Sequence, residues 1–343
     1  MHEMRSKQPT RPLAALFAAL LCFSLCLTPC WAQESERTLI PVGKAVGIKL
    51  FADGVLVVDV SEVEQDGRSV SPAADCGLQE GDLILRANEE KIQSTEHLQS
   101  ILQENGETPM EVEIQRGDEL FTTQIAPVQC SDGVCRLGAW IRDSMAGIGT
   151  MTYYDPVTGS YGALGHGITD VDTAQLMPLA SGSIMETTVK AVKKGEEGSP
   201  GELKGDFSVQ HDVGTLWANT QSGIFGTMSD TDAAPTGKAY PLADADDIHV
   251  GEATILTTVS GDETEEYTVK ILRLYDQDQP TRNLLLEVTD QRLLDITGGI
   301  VQGMSGSPIL QDGKLVGAVT HVLVNDPTKG YGITIENMLQ AAE

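Results

Sequence analysis

The chain has 343 residues, enough for two ordinary domains with cores of their own. Its formal charge of −27 argues against nucleic-acid binding and against electrostatic docking on anionic lipid. Aromatic residues make up 5% and glycines number 35, which fits short strands and turns and speaks against a helix bundle.

Residues 1–32 read as an export signal and not as fold. Arg5, Lys7 and Arg11 form a positive start, residues 12–30 are almost continuously apolar, and Cys30-Trp31-Ala32 precedes polar sequence. The segment is a signal peptide cut after Ala32 or an N-terminal membrane anchor, because the apolar run is near spanning length. Cys22, Cys26 and Cys30 lie in or beside it.

Residues 38–128 carry the pattern of a PDZ domain of the permuted, bacterial-protease type. A strand is expected at 54–60, a short helix opening at Ser71-Pro72 and ending at Gly77, and a strand through 83–85. Thr95 is placed to cap a helix over 96–104 with Leu98, Ile101 and Leu102 on one face, and 110–114 alternates as a closing strand. In such domains a peptide C-terminus adds as a strand beside the helix, its carboxylate held by loop N–H groups. The resemblance assigns that loop to Val46, Gly47, Ile48 and Leu50, with the 96–104 helix as the other wall. A PDZ fold used only to position or restrain its neighbour is the other possibility.

Residues 129–136 read as a linker. Cys130 and Cys135 enclose a turn-like Ser-Asp-Gly-Val that a disulfide would close, with two reduced thiols as the rival; Cys76 reads as a small buried apolar residue. No Cys/His spacing resembles a zinc site, and neither metal nor cofactor is expected. From 137 to 343 short runs recur with turn signals: 139–142, 147–154, 187–192, 205–209, 223–228, 252–259, 265–274 and 284–288. That spacing predicts an all-β barrel or pair of barrels, closed by a short helix at 335–342.

The chemistry concentrates in Gly303-Met304-Ser305-Gly306-Ser307-Pro308. A serine hydroxyl needs a neighbouring base, and attack on a carbonyl leaves an oxyanion that needs donors. Glycines at 303 and 306 permit a tight bend and close approach of a substrate carbonyl, so the N–H groups of Gly303 and Ser305 would form the oxyanion hole. Two buried strands joined at Asp312-Gly313 should follow. Among the histidines, His166 lies between two glycines and precedes the serine, the order of trypsin-like enzymes; His321 is the runner-up base.

The block 298–333, with Gly162-Ala163-Leu164-Gly165-His166-Gly167-Ile168-Thr169-Asp170 and the run 222–228, resembles the sporulation stage IV B (SpoIVB) peptidase family of endospore-forming bacteria. The resemblance implies a mainly β chain: an N-terminal PDZ domain, then a serine peptidase domain of the trypsin-like double β-barrel type. It implies Ser305 as nucleophile, His166 as base and Asp290 as the third catalytic residue, with Asp295 and Asp170 as rivals. It also implies an exported endopeptidase, active at the forespore membrane or in the intermembrane space. Its targets would be itself and the extracytoplasmic part of a membrane regulator of an intramembrane protease, leading to activation of a late sigma factor. The competing reading is a non-catalytic PDZ adaptor on a dead peptidase scaffold.

Overall fold

The computed structural model describes residues 37–342 apart from 277 and 278, and omits the side chains of 209 and 210. The expected leader at 1–32 lies outside the described residues.

Two long strands organise the rest. Ala45–Val60 and Ala139–Tyr154 pair antiparallel along almost their whole length, from Val60 opposite Ala139 to Ala45 opposite Thr150. The first half of Ala45–Val60 also pairs with Ser181–Lys193. The ladder continues through Glu202–Thr220, Gly223–Met228 and Ser160–Ala163 back to Ala139–Tyr154, which closes a ring of six strands. Inward residues such as Val46, Ile48, Tyr161, Ile184 and Ile224 fill it, as the period-two alternation of strands requires. The second barrel is Gly251–Thr257, Glu265–Leu274, Leu284–Val288, Asp326–Thr334, Lys314–Leu323 and Pro308–Gln311, also closed. Its hairpin turn at Asp312-Gly313 has φ of +50° and +78°, the pair of left-handed residues that a two-residue turn uses to follow strand twist. Together these are the expected double barrel. The core of the second runs on into Ala45, Val189 and Leu203 of the first, so the barrels share one apolar seam.

The PDZ domain is inserted within the first barrel. The far half of Ala45–Val60 pairs with Leu83–Ala87, which pairs with Met110–Arg116 and then Glu119–Ile125. Helix Thr95–Asn105 lays Leu98 and Leu102 into that core, each worth about 2 kcal/mol when fully buried. Its cap is Ser94, whose side chain accepts from His97 N, one residue before the expected Thr95; Gly106 ends the helix.

The boundaries drawn from sequence at 38, 128 and 137 therefore need correcting. Residues 45–50 build the peptidase barrel, while Cys135, Leu137, Ala139 and Ile141 pack into the PDZ core. The expected linker is a small hairpin, Val128–Gln129 with Cys135–Arg136, tied to the helix by Gln99 and Gln103. Cys130 and Cys135 are free thiols. Cys135 lies opposite Gln129, so the alternation of side chains turns Cys130 to the other face. The runs at 139–142 and 147–154 are one strand, and the run at 223–228 is a strand of the first barrel.

Candidate active site

The bend carrying Ser305 comes from the second barrel and is fastened to the first. Thr150 N donates to Ser305 O at 3.0 Å, and Thr150 Oγ1 donates to Gly303 O at 2.7 Å. Gly306 N donates to Val319 O at 2.8 Å, while Ser307 N and Oγ both donate to Met304 O. Met304 is wholly buried beneath the turn. At Gly306 φ is +97°, and a Cβ there would stand 2.0 Å from Thr150 O, so glycine is required twice over. Among the described residues no protein acceptor takes the N–H of Gly303 or of Ser305. Both residues line the cleft between the barrels, where such donors can stabilise an oxyanion.

That cleft, about 760 Å³, also holds His166 and His321. The chain reaches His166 through two left-handed residues, Leu164 at φ +70° and Gly165 at +68°, which turn it sharply off the strand ending at Ala163. His166 Nδ1 lies 2.8 Å from Gly167 O. A carbonyl can only accept, so the ring proton sits on Nδ1 and Nε2 keeps the lone pair that a general base needs. Burial holds the His166 pKa below the usual histidine value. The two imidazole rings are 4.9 Å apart by centroid. His321 stands in an irregular stretch between Val319 and Val322, with its Nδ1 buried and unpartnered. Burial, then the neighbouring His166 and Arg282, push its pKa down to about 4. Ser305 Oγ donates to Thr320 O at 2.7 Å. A χ1 rotation of the serine is therefore needed to hand its proton to an imidazole.

The orienting carboxylate is not where the resemblance put it. Asp290 caps helix Gln291–Thr297, accepts from Arg292 N and Thr268 N, and forms an ion pair with Arg292. The Arg292 guanidinium holds its pKa below the usual carboxylate range. Neither rival replaces it. Asp295 accepts from Gln291, and buried Asp170 pairs with Arg142 and takes the N–H groups of Asp172 and Thr173. The Gly167 carbonyl does the orienting instead. Asp290 closes an apolar strand just upstream of the serine, and sequence proximity there is not proximity in space.

The peptide loop assigned to Val46, Gly47, Ile48 and Leu50 is also corrected. Those residues form a buried barrel strand hydrogen-bonded on both edges, which leaves no free ladder for an added strand. The strand beside the PDZ helix is Ala139–Tyr154, tied to it where Thr95 N donates to Asp143 Oδ2 at 2.7 Å. Sequence reasoning missed Thr150 and the Gly167 carbonyl. A threonine in a strand and a main-chain oxygen carry no motif. Residues 330–332 lie inside strand Asp326–Thr334.

Residues 133–339 match the SpoIVB peptidase S55 family, and residues 67–116 match a PDZ domain. The chain belongs to the SpoIVB peptidase S55 family. It carries a peptidase domain of that family together with a PDZ domain. Family membership speaks for the enzyme over the adaptor. A Bartonella henselae protein that carries the name of a zinc metalloprotease is 33% identical over 81 residues, 23% of this chain and 22% of its own length. Among solved structures, the PDZ domain of an SdrC-like protein from Listeria monocytogenes is 23% identical, covering 26% of this chain and 87% of its own, with a TM-score of 0.22. The active form of the Rv3671c protease from M. tuberculosis is 14% identical, covering 57% and 73%, with a TM-score of 0.32. Likenesses of that strength say nothing about activity. The S55 match lies over the second long strand, the His166 turn and the Ser305 bend, which are the parts that build the cleft.

Proposed function

We propose that this S55 peptidase is exported and acts in sporulation signalling, at the forespore membrane or in the intermembrane space. There it cleaves itself and the extracytoplasmic part of a membrane-bound regulator, so that an intramembrane protease can activate a late sigma factor. The PDZ domain binds peptide C-termini or restrains the peptidase, and residues 1–32 serve as leader or anchor. The chemistry rests on one observation: a single cleft gathers Ser305, an imidazole with its Nε2 lone pair free, and two amides without acceptors. Ser305 Oγ attacks the scissile carbonyl as His166 takes its proton, and the N–H groups of Gly303 and Ser305 receive the oxyanion. The imidazolium then protonates the leaving amine, and water hydrolyses the acyl-enzyme by the same route.

A fluorophosphonate probe should label Ser305 in the purified chain. Ser305→Ala should abolish labelling and lower peptide hydrolysis by on the order of a million-fold. Self-cleavage that persists in pure Ser305→Ala protein would end the proposal. For the signalling role, Ser305→Ala in a sporulating host should block regulator cleavage and the late sigma factor together. Normal sigma activation in that strain would leave the peptidase standing and remove its place in sporulation.

A further inference from the structure

Each donor of the oxyanion hole is half of a peptide group, and in a trans peptide the N–H and the C=O point opposite ways. Whatever holds the carbonyl therefore aims the amide. For Ser305 N–H that carbonyl is Met304 O, held within the bend by Ser307 N and Oγ. For Gly303 N–H it is Gln302 O, and its partner comes from the other barrel: Leu203 N donates to it at 2.8 Å. Gly303 itself fixes little, because at φ +98° it has no Cβ to oppose rotation to the mirror-image conformation.

Leu203 belongs to an arm of the first barrel, the end of the hairpin in which Ser181–Lys193 turns back into Glu202–Thr220. The arm lies across the second barrel. Gln302 N donates to Gly201 O at 2.9 Å, Gly195 N to Thr297 O at 2.8 Å and Gly198 N to Val324 O at 2.9 Å. The fit is close: a Cβ on Gly201 would stand 2.5 Å from Val301 Cγ1, and one on Gly303 would stand 3.0 Å from Leu203 Cβ. The tip, Glu196 to Gly198, is exposed. Resting on the peptidase reading above, we propose that this arm is a positioning element of the oxyanion hole, in which Leu203 N–H holds Gln302 O and thereby keeps Gly303 N–H aimed away from the arm. Where the arm lifts, the Gln302–Gly303 peptide turns, and the hole keeps only the Ser305 donor.

The test uses the purified full chain, a fluorogenic peptide and the matching peptidyl boronate, whose tetrahedral adduct on Ser305 needs the hole. Leu203→Pro removes the N–H, whereas Leu203→Ala keeps it; both cut back the same buried side chain. Leu203→Pro should therefore fall in kcat by about tenfold or more below Leu203→Ala, with KM little changed and boronate affinity lost in proportion. Gly201→Ala forces the arm off the bend and should show the same pattern, which decides the matter if Leu203→Pro does not fold. Equal kcat in folded Leu203→Pro and Leu203→Ala, wild-type kcat in Gly201→Ala, or losses confined to Tm or KM overturn the proposal and spare the peptidase. Failure of the wild-type chain both to hydrolyse peptides and to take a fluorophosphonate removes the peptidase reading itself, and the proposal with it.

Discussion

At rest the Ser305 hydroxyl donates a hydrogen bond to the Thr320 carbonyl, while both imidazoles in the cleft are held below the ordinary histidine pKa, His321 at about 4. A general base must be neutral to act. The plateau of kcat/KM should therefore persist as pH falls through about 6.5 and decline only below it, which a pH–rate profile on an apolar peptide checks. Stability follows from the same shift. The folded pKa of His321 lies below the unfolded value, so the unfolded chain takes up the proton first. The contribution of the neutral ring is complete above about 6.5 and is lost as pH falls toward about 4. Over that window the Tm of His321→Gln should fall less than that of the wild type. Asp290 is a residue of another kind. Asp290→Ala should cost about 1 kcal/mol through its helix cap and leave probe labelling per folded molecule unchanged, as denaturation and labelling rates would report. Ser305 and His166 were legible because glycines flank them and the family pattern covers them. The orienting group was not, because a carbonyl oxygen has no letter.

Among the elements, the loop from Asp170 to Leu176 deserves a measurement. It carries Val171 and Leu176 at the cleft and sets Gln175 against Gly81 of the PDZ domain. Its anchor is Asp170, fully buried, held by Arg142 from the second long strand. Arg142→Ala would leave a buried carboxylate with only backbone and hydroxyl partners, and a loss of about 3 kcal/mol is expected in a denaturant titration. Lysine should restore little of it, since Arg142 spans both Asp170 and Asp172. The nucleophile bend is stricter still. Gly306→Ala should fold poorly or fail to label, because its new Cβ has the Thr150 carbonyl in its way. The strands at 265–274 and 284–288 could be read from alternation to the residue. The long strands could not: each reads as two shorter elements, because one half serves the barrel and the other the PDZ core.

For the molecule as a whole, the insertion of one domain inside another makes a prediction that a tandem arrangement would not. A fragment starting at 137 lacks the strand Ala45–Val60, so its first barrel cannot close, and it should be insoluble and unlabelled by the probe. Joining Val60 to Ala139 through a short turn should keep that barrel, because the two residues are already paired neighbours. Such a chain should still label at Ser305. Soluble, labelled 137–343 fragment would contradict the insertion.

Local chemistry was enough to announce the nucleophile bend, the glycine-flanked histidine, the hairpin at Asp312-Gly313 and the all-β character, since turn residues and strand alternation act over a few positions. Partnership over long separations was decided only by folding. Thr150 reaches Ser305 from the other barrel, Ala45–Val60 divides itself between two cores, and Asp290 turns to Arg292 and away from the cleft. Such choices depend on which strands lie side by side, and antiparallel pairing across a hundred residues leaves no trace in either strand's own pattern.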